Sequence, residues 1–294
     1  MILKKYLGVI QTAAFLIGCL GAASAQRVCP DGPTVEGIDV SRYQGMVDWA
    51  AVRQSGRDMA IARVSDGTRF PDAYFARNWE VMSTRGFVRG AYQFFRAGQD
   101  PIAQADLFLS NIDSDPIVSG DLPPIMDIET ADGQSTAVVR AKMQTWLDYM
   151  EEATGKTPII YTAAFMSSVI GTGFSQYPLW VANWRVTCPL MPSGWSGWVM
   201  WQYSSTGRVP GVTGNVDMDK FNGSLDDLWY FASGPGMDPA PKWRAPALEE
   251  SEPLDDLSQP GGSVMGDGLR AYEAQAEPPD LVEPMNWPIE DTIR

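Results

Sequence analysis

The chain of 294 residues contains no histidine. That absence removes Ser-His-Asp and Cys-His nucleophile pairs, the HExxH zinc helix and every imidazole metal site. Any catalysis therefore has to run on carboxylates, tyrosines or lysines, and nothing in the sequence calls for a metal or an organic cofactor. Positive charge is also scarce. Thirty-six acids against 22 bases give a net charge of −14, the wrong sign for the counterion release that drives nucleic-acid affinity. No nucleic-acid partner is expected. What is present is 45% hydrophobic and 20% charged residues, enough for one globular domain with room to spare.

Lys4 and Lys5 precede an apolar stretch from Tyr6 to Leu20, and Ala23-Ser24-Ala25 then supplies a small-x-small cleavage pattern. Residues 1–25 are read as a signal peptide and set apart from the fold. The alternatives are an uncleaved anchor and a bacterial lipoprotein box. Against the anchor, Gln11 and the glycines Gly8, Gly18 and Gly21 interrupt the roughly 20 apolar residues that a span needs. The box is Leu16-Ile17-Gly18-Cys19, and lipidation of Cys19 is the one case in which a membrane attachment is expected. Export implies a periplasmic or secreted protein and an oxidising compartment. There the two remaining cysteines, Cys29 and Cys188, are expected to pair, with two free thiols as the alternative.

Composition changes at Pro235. Residues 235–294 hold 13 acids and 4 bases, a net of −9, with 10 of the 22 prolines and no sustained apolar period. Such a segment buries too little surface to offset its ordering entropy, so a disordered acidic tail is expected. An interaction tail, a spacer, or a short docking segment at Leu281–Trp287 are the other readings.

Between residues 35 and 233, short β-rich runs alternate with amphipathic stretches. Val35–Ser41, Met59–Ser65, Val88–Phe95, Pro123–Thr130, Pro158–Thr162, Leu179–Trp184, Trp198–Ser204 and Val216–Phe221 read as eight strands. Asp72–Arg85, Pro101–Ile112, Thr136–Ala153 and Ala163–Ile170 read as helices. This alternation predicts an α/β fold with a parallel sheet, closed into an irregular (β/α) TIM-like barrel of eight strands and fewer than eight helices. The later gaps are too short or too rich in Gly and Pro for full helices.

In a parallel barrel the functional groups come from the C-terminal ends of strands. Asp39 interrupts the apolar first strand, Asp127 and Glu129 share one face of the fourth by period-two alternation, and Asp217 opens the last. Each acid taken singly is more simply a cap or a salt-bridge partner. Together they would converge if the sheet closes, and neighbouring buried carboxylates raise one another's pKa, which is how a general acid stays protonated near neutrality. Tyr92 and Gln93 end the third strand and Tyr161 the fifth, while Trp180, Trp184, Trp195, Trp198 and Trp201 crowd one window. Aromatic faces stack on pyranose rings, although several of these indoles must be core.

Taken together, Gly37-Ile38-Asp39-Val40-Ser41-Arg42-Tyr43-Gln44-Gly45, Gly90-Ala91-Tyr92-Gln93-Phe94-Phe95, Asp127-Ile128-Glu129, Leu179-Trp180-Val181-Ala182-Asn183-Trp184, Trp201-Gln202-Tyr203 and Gly214-Asn215-Val216-Asp217-Met218-Asp219 resemble the glycoside hydrolase family 25 lysozymes. The resemblance runs in order from about Val35 to Tyr230. It implies a barrel in which strands replace some helices, and hydrolysis of the β-1,4 bond between N-acetylmuramic acid and N-acetylglucosamine in peptidoglycan. It further implies Glu129 as general acid, Asp127 as the partner that orients the substrate's N-acetyl group, and Asp39 and Asp217 as the remaining active-site acids. The implied course is retention, with the acetamido oxygen attacking, one of the exceptions to two-carboxylate glycoside hydrolysis. Tyr92, Tyr161, Trp180, Trp184, Gln93 and Asp219 become candidate substrate contacts; Asp219 rivals Asp217 as the acid because both lie on one face of a strand, and Asp217 is preferred because it matches the Val-Asp step of the family pattern. Relatives often carry histidine where this chain has Gln93 and Tyr43, which implies an altered pH profile or substrate fit. The expected partner is a peptidoglycan glycan strand, met by a monomer. A hydrolase of chitin-like polymers and a catalytically silent wall-binding barrel are the competing readings.

Overall fold

The computed structural model describes residues 26–234. Residues 1–25, expected to be a signal peptide and including Cys19, and residues 235–294, expected to be an acidic tail, lie outside the described residues. Among the described residues nine strands are formed: β1 (Thr34–Val40), β2 (Met59–Asp66), β3 (Phe70–Pro71), β4 (Val88–Phe94), β5 (Ile125–Asp127), β6 (Ile159–Thr162), β7 (Leu179–Ala182), β8 (Met200–Gly207) and β9 (Val216–Asn222). The helices are α1 (Trp49–Gln54), α2 (Phe75–Thr84), α3 (Pro101–Ile112), α4 (Thr136–Thr154), α5 (Ser167–Ile170) and α6 (Leu225–Ser233). Eight strands pair in the order β1-β9-β8-β7-β6-β5-β4-β2, and a further β1–β2 pairing closes the barrel. The two-residue β3 is an outer addition to β2. No described helix is long and apolar enough to cross a membrane.

Alternation decides which residues face the helices. Ile38 and Val40, Ala60, Ala62 and Val64, Ala91, Met126, Ile160, Val181 and Met218 all join one apolar layer. The helices supply its other half, α4 through Val139, Met143, Trp146, Leu147 and Met150, whose spacing traces one stripe of a 3.6-residue helix. Residues of opposite parity, among them Met59, Ile61, Ile125, Ile159 and Met200, are also buried and belong to the strand faces that look inward. Space there is tight: a Cβ added at Gly37 would lie 2.7 Å from Met59 Cε.

The irregular eight-stranded α/β barrel is as expected, and the expected parallel course fails only at the last strand. β9 runs antiparallel to both β8 and β1, because the connection from β8 is a short loop with no helix, and only a crossover could return the chain to the opposite end for a parallel strand. Two helices were also missed. Asp48 caps α1 by accepting from the amides of Ala50 and Ala51 at 3.0 and 3.2 Å, and Ser224 with Asp227 forms a capping box on α6. The helix expected over 163–170 is a 3-10 turn, Ala164–Met166, followed by the single turn of α5.

Candidate active site

The antiparallel course of β9 brings its N-terminal residues to the end of the barrel where the parallel strands finish. Asp217 on β9 pairs directly with Asp39 near the end of β1, which places their Cβ atoms about 5 Å apart. Asp219, next on the same face, lies opposite Gly37 on one side and Gln202 of β8 on the other. Asp127 closes β5 beside Phe94 and Tyr161, and Glu129 follows two residues later on the same face. The structure thus gathers all four expected acids, together with Asp219, at one end of the barrel.

The acids perturb one another. Burial, with the charge of Asp39, pushes the Glu129 carboxyl up to about 7, against a hydrogen bond with Asp127 and the positive charge of Arg96 that pull it down. Burial likewise carries Asp39 to about 6, held back by hydrogen bonds with Gln202 and Asp219 and by Arg63. Asp127 stands well above the ordinary carboxylate range, first from burial and then from Glu129 and Asp39. Asp217 is raised by burial and by Asp39 and Glu129. Asp219, fully buried, is raised by burial and by Asp39 and Asp217. One Asp127 oxygen, Oδ1, is buried and has no donor among the described residues, while the Asp127 and Glu129 carboxyls act on one another's titration. Glu129 is the more exposed of the two.

Arg63 brings a cation to the inward face of β2, donating from Nε to Asp72 Oδ2 at 3.3 Å. Its guanidinium also lies over the ring of Tyr43 at 5.4 Å, with Arg42 at 5.2 Å from the same ring. Tyr43 itself is 65% exposed. Arg96 is held by Asp66, its Nη2 donating to Oδ2 at 2.7 Å, and approaches Asp132. Among the described residues no cluster of three or more acids or cysteines could hold a metal ion.

The expected sugar contacts divide. Tyr161 donates its hydroxyl to Gln202 Oε1 at 2.9 Å, and Trp184 donates its indole N–H to the same oxygen at 3.0 Å. Trp180 is only 1% exposed, so it is corrected from a stacking platform to the floor of the site. It donates to Asp219 Oδ1 at 3.0 Å and packs edge-on against Tyr161 and Tyr92 at 4.6 and 6.3 Å. Gln93 is a second correction. It faces outward, donates to Ser65 Oγ and the Gln104 carbonyl, and accepts from the Trp146 indole at 2.9 Å. Because neighbours in a strand point to opposite faces, Tyr92 and Gln93 could not both enter the cleft. Sequence reasoning missed Gln202, which donates to Asp39 Oδ2 at 2.7 Å, and Arg63, a charge in an otherwise apolar strand that was a legible signal.

Cys29 and Cys188 are joined by a disulfide, with Cα atoms 4.5 Å apart. The bridge anchors residues 26–29 along the segment that follows Trp184, where Val28 donates to the Pro189 carbonyl and Met191 to that of Gln26.

The family description glycosyl hydrolases family 25 matches residues 38–212, a span that takes in Asp39, Asp127 and Glu129. The chain belongs to this family. It is a glycoside hydrolase. Lysozyme M1 of Streptomyces globisporus is 36% identical over 227 residues, covering 73% of this chain and 77% of that protein. The N,O-diacetylmuramidase of Chalaropsis sp is 30% identical over 219 residues, covering 68% of this chain and all of that one. The crystal structure of a bacterial lysozyme from Streptomyces coelicolor superposes with a TM-score of 0.64 at 36% identity, over 69% of this chain and 99% of that one. The family 25 match ends before β9, so Asp217 and Asp219 stand on the geometry of the barrel.

Proposed function

We propose that this protein is an exported muramidase that cleaves the β-1,4 bond between N-acetylmuramic acid and N-acetylglucosamine in peptidoglycan. The observation that supports the reading is the gathering of Asp39, Asp127, Glu129 and Asp217 at one end of the barrel, with Glu129 pushed up to about 7 and so still able to hold a proton near neutral pH. Relatives named as lysozymes and muramidases support the substrate class.

In this reading Glu129 gives its proton to the glycosidic oxygen as the bond to the leaving sugar breaks. No protein nucleophile is needed, because the acetamido oxygen of the substrate attacks the anomeric carbon and a water later opens the cyclic intermediate with retention. Asp127 takes the acetamido N–H and steadies the positive charge that develops there. Asp39 adds negative potential to the site, which favours an oxocarbenium-like transition state and keeps the proton on Glu129, while Asp217, held toward its neutral form by burial and by Asp39 and Glu129, is a polar contact for the sugar. Tyr92 and Tyr161 are sugar contacts at the floor, and Trp184 is the contact nearer the rim. Residues 1–25 direct export as a cleaved signal peptide, so the enzyme works in the periplasm or outside the cell.

Reducing-end release from purified peptidoglycan and from chitin oligomers, measured side by side, tests the proposal. Release from peptidoglycan is the expected outcome. Release from chitin oligomers alone would overturn it in favour of an N-acetylglucosamine polymer hydrolase.

A further inference from the structure

Gln202 is almost wholly buried, and its amide has three neighbours. The Trp184 indole N–H and the Tyr161 hydroxyl both donate to Oε1, at 3.0 and 2.9 Å, and Nε2 donates to Asp39 Oδ2 at 2.7 Å. An indole N–H is a donor only. The amide atom that faces Trp184 must therefore be the oxygen, and the NH2 end is turned toward Asp39. Amide orientation is assigned from such networks, and here the donor-only partner leaves one solution.

Across β9, Asp219 presents the complementary half of the arrangement. Its Oδ1 accepts from Trp180 at 3.0 Å, while its Oδ2 is buried and receives no hydrogen bond from any described residue. A buried carboxyl oxygen without a donor is satisfied when it carries the proton and donates in turn. Asp39 accepts from Gln202 and interacts with Asp219, an interaction that lowers Asp39 and raises Asp219, so Asp39 carries the charge of the pair. We infer that Gln202 is a positioning residue that holds Asp39 as the hydrogen-bond acceptor of the Asp39–Asp219 pair, with the Trp184 indole setting which way its amide faces.

The inference rests on the reading of Asp39 as one of the acids of the glycosidase site, and it deepens that reading by linking the cleft rim to the charge on Asp39. Asp39 is faced by Asp217 and Asp219 from β9, by Arg63 from β2, by Asp127 from β5 and by Glu129 two residues beyond that strand. Tyr92 and Tyr161 face it from β4 and β6 with neutral hydroxyls, since burial raises both phenols well above their ordinary range. Among these groups Gln202 is the neutral donor whose direction is fixed from outside the acid cluster.

The test is a carboxyl-carbon NMR titration of the full chain labelled with 13C-aspartate, from about pH 3 to 9. The Asp39 signal is assigned with Asp39→Asn, and the wild type is compared with Gln202→Glu and Trp184→Phe. Gln202→Glu replaces the donor by an acceptor at nearly constant shape, so the Asp39 midpoint is expected to rise by about one pH unit or more. Trp184→Phe releases the lock while leaving the amide in place, and a smaller rise is expected. The acidic limb of kcat/KM on peptidoglycan should move up with the midpoint, a change that a purely structural role would not produce. An unmoved Asp39 midpoint in folded Gln202→Glu overturns the inference. If that variant does not fold, an unmoved midpoint in Trp184→Phe does so. The titration uses no substrate, so a wild type that fails to cleave peptidoglycan would reject the functional reading while the inference about Gln202 is still decided.

Discussion

Replacing Glu129 by Gln changes two observables whose directions are opposed. The amide keeps the volume of the side chain and has no proton to transfer, so hydrolysis should fall on the order of a hundredfold or more with substrate binding retained. Stability should rise. Burial and the Asp39 charge move the Glu129 carboxyl from 4.5 to about 7, so the folded state binds this proton more tightly than the unfolded chain does. Wild-type stability from this group is complete below pH 4.5 and is lost as pH rises through 7. At 1.36 kcal/mol per unit the ceiling is about 3 kcal/mol. Glu129 is partly open to cleft water, and halving for that screening leaves about 1.5–2 kcal/mol. For a domain of this size that corresponds to a Tm higher by about 3–8 °C. Thermal unfolding of both proteins across pH is the assay. The gain should be present above about pH 7 and vanish below about pH 4.5. A variant that retains full muropeptide release, or whose Tm difference is independent of pH, would refute both the proton assignment and the electrostatic reasoning behind it.

Other consequences are as direct. Gln93→Leu removes the acceptor of the Trp146 indole and leaves that donor buried, so unfolding free energy should drop by about 1–3 kcal/mol, while kcat/KM stays at the wild-type value. A selective loss of kcat/KM would return Gln93 to the cleft. The Cys29–Cys188 bridge closes a sequence separation of 159, and replacing both cysteines by serine should cost about 2–4 kcal/mol in denaturant unfolding. Equal midpoints for the two forms would contradict this. Proton NMR of the first product formed should show the β-anomer before mutarotation, as acetamido-assisted retention requires, whereas an α-anomer appearing first would exclude that course.

The barrel was legible because its strands are punctuated runs of apolar and β-branched residues, and all eight lie within a few residues of their expected places. The direction of β9 was not. Its sequence, Val-Asp-Met-Asp-Lys-Phe-Asn, alternates equally well either way, and only the length of the connection from β8 decides. That direction matters to the site. Run parallel, β9 would have carried Asp217 to the far end of the barrel from Asp39. Asp127 and Glu129 could be placed from period-two spacing alone, whereas Gln93 was drawn into the cleft by its neighbour Tyr92 when strand parity already turned it outward. Trp180 shows another limit, since an indole at the end of a strand reads alike as platform or floor until burial is known. Gln202 carried no local signal. Its meaning comes from Asp39, 163 residues away in sequence.

The most direct measurement is mass spectrometry of the soluble fragments from sacculi digested by the wild type and by Glu129→Gln, after borohydride reduction. Disaccharide muropeptides ending in reduced N-acetylmuramic acid, abundant with the wild type and nearly lost with the variant, are the predicted result. Fragments ending in reduced N-acetylglucosamine, or equal yields from the two proteins, would contradict it.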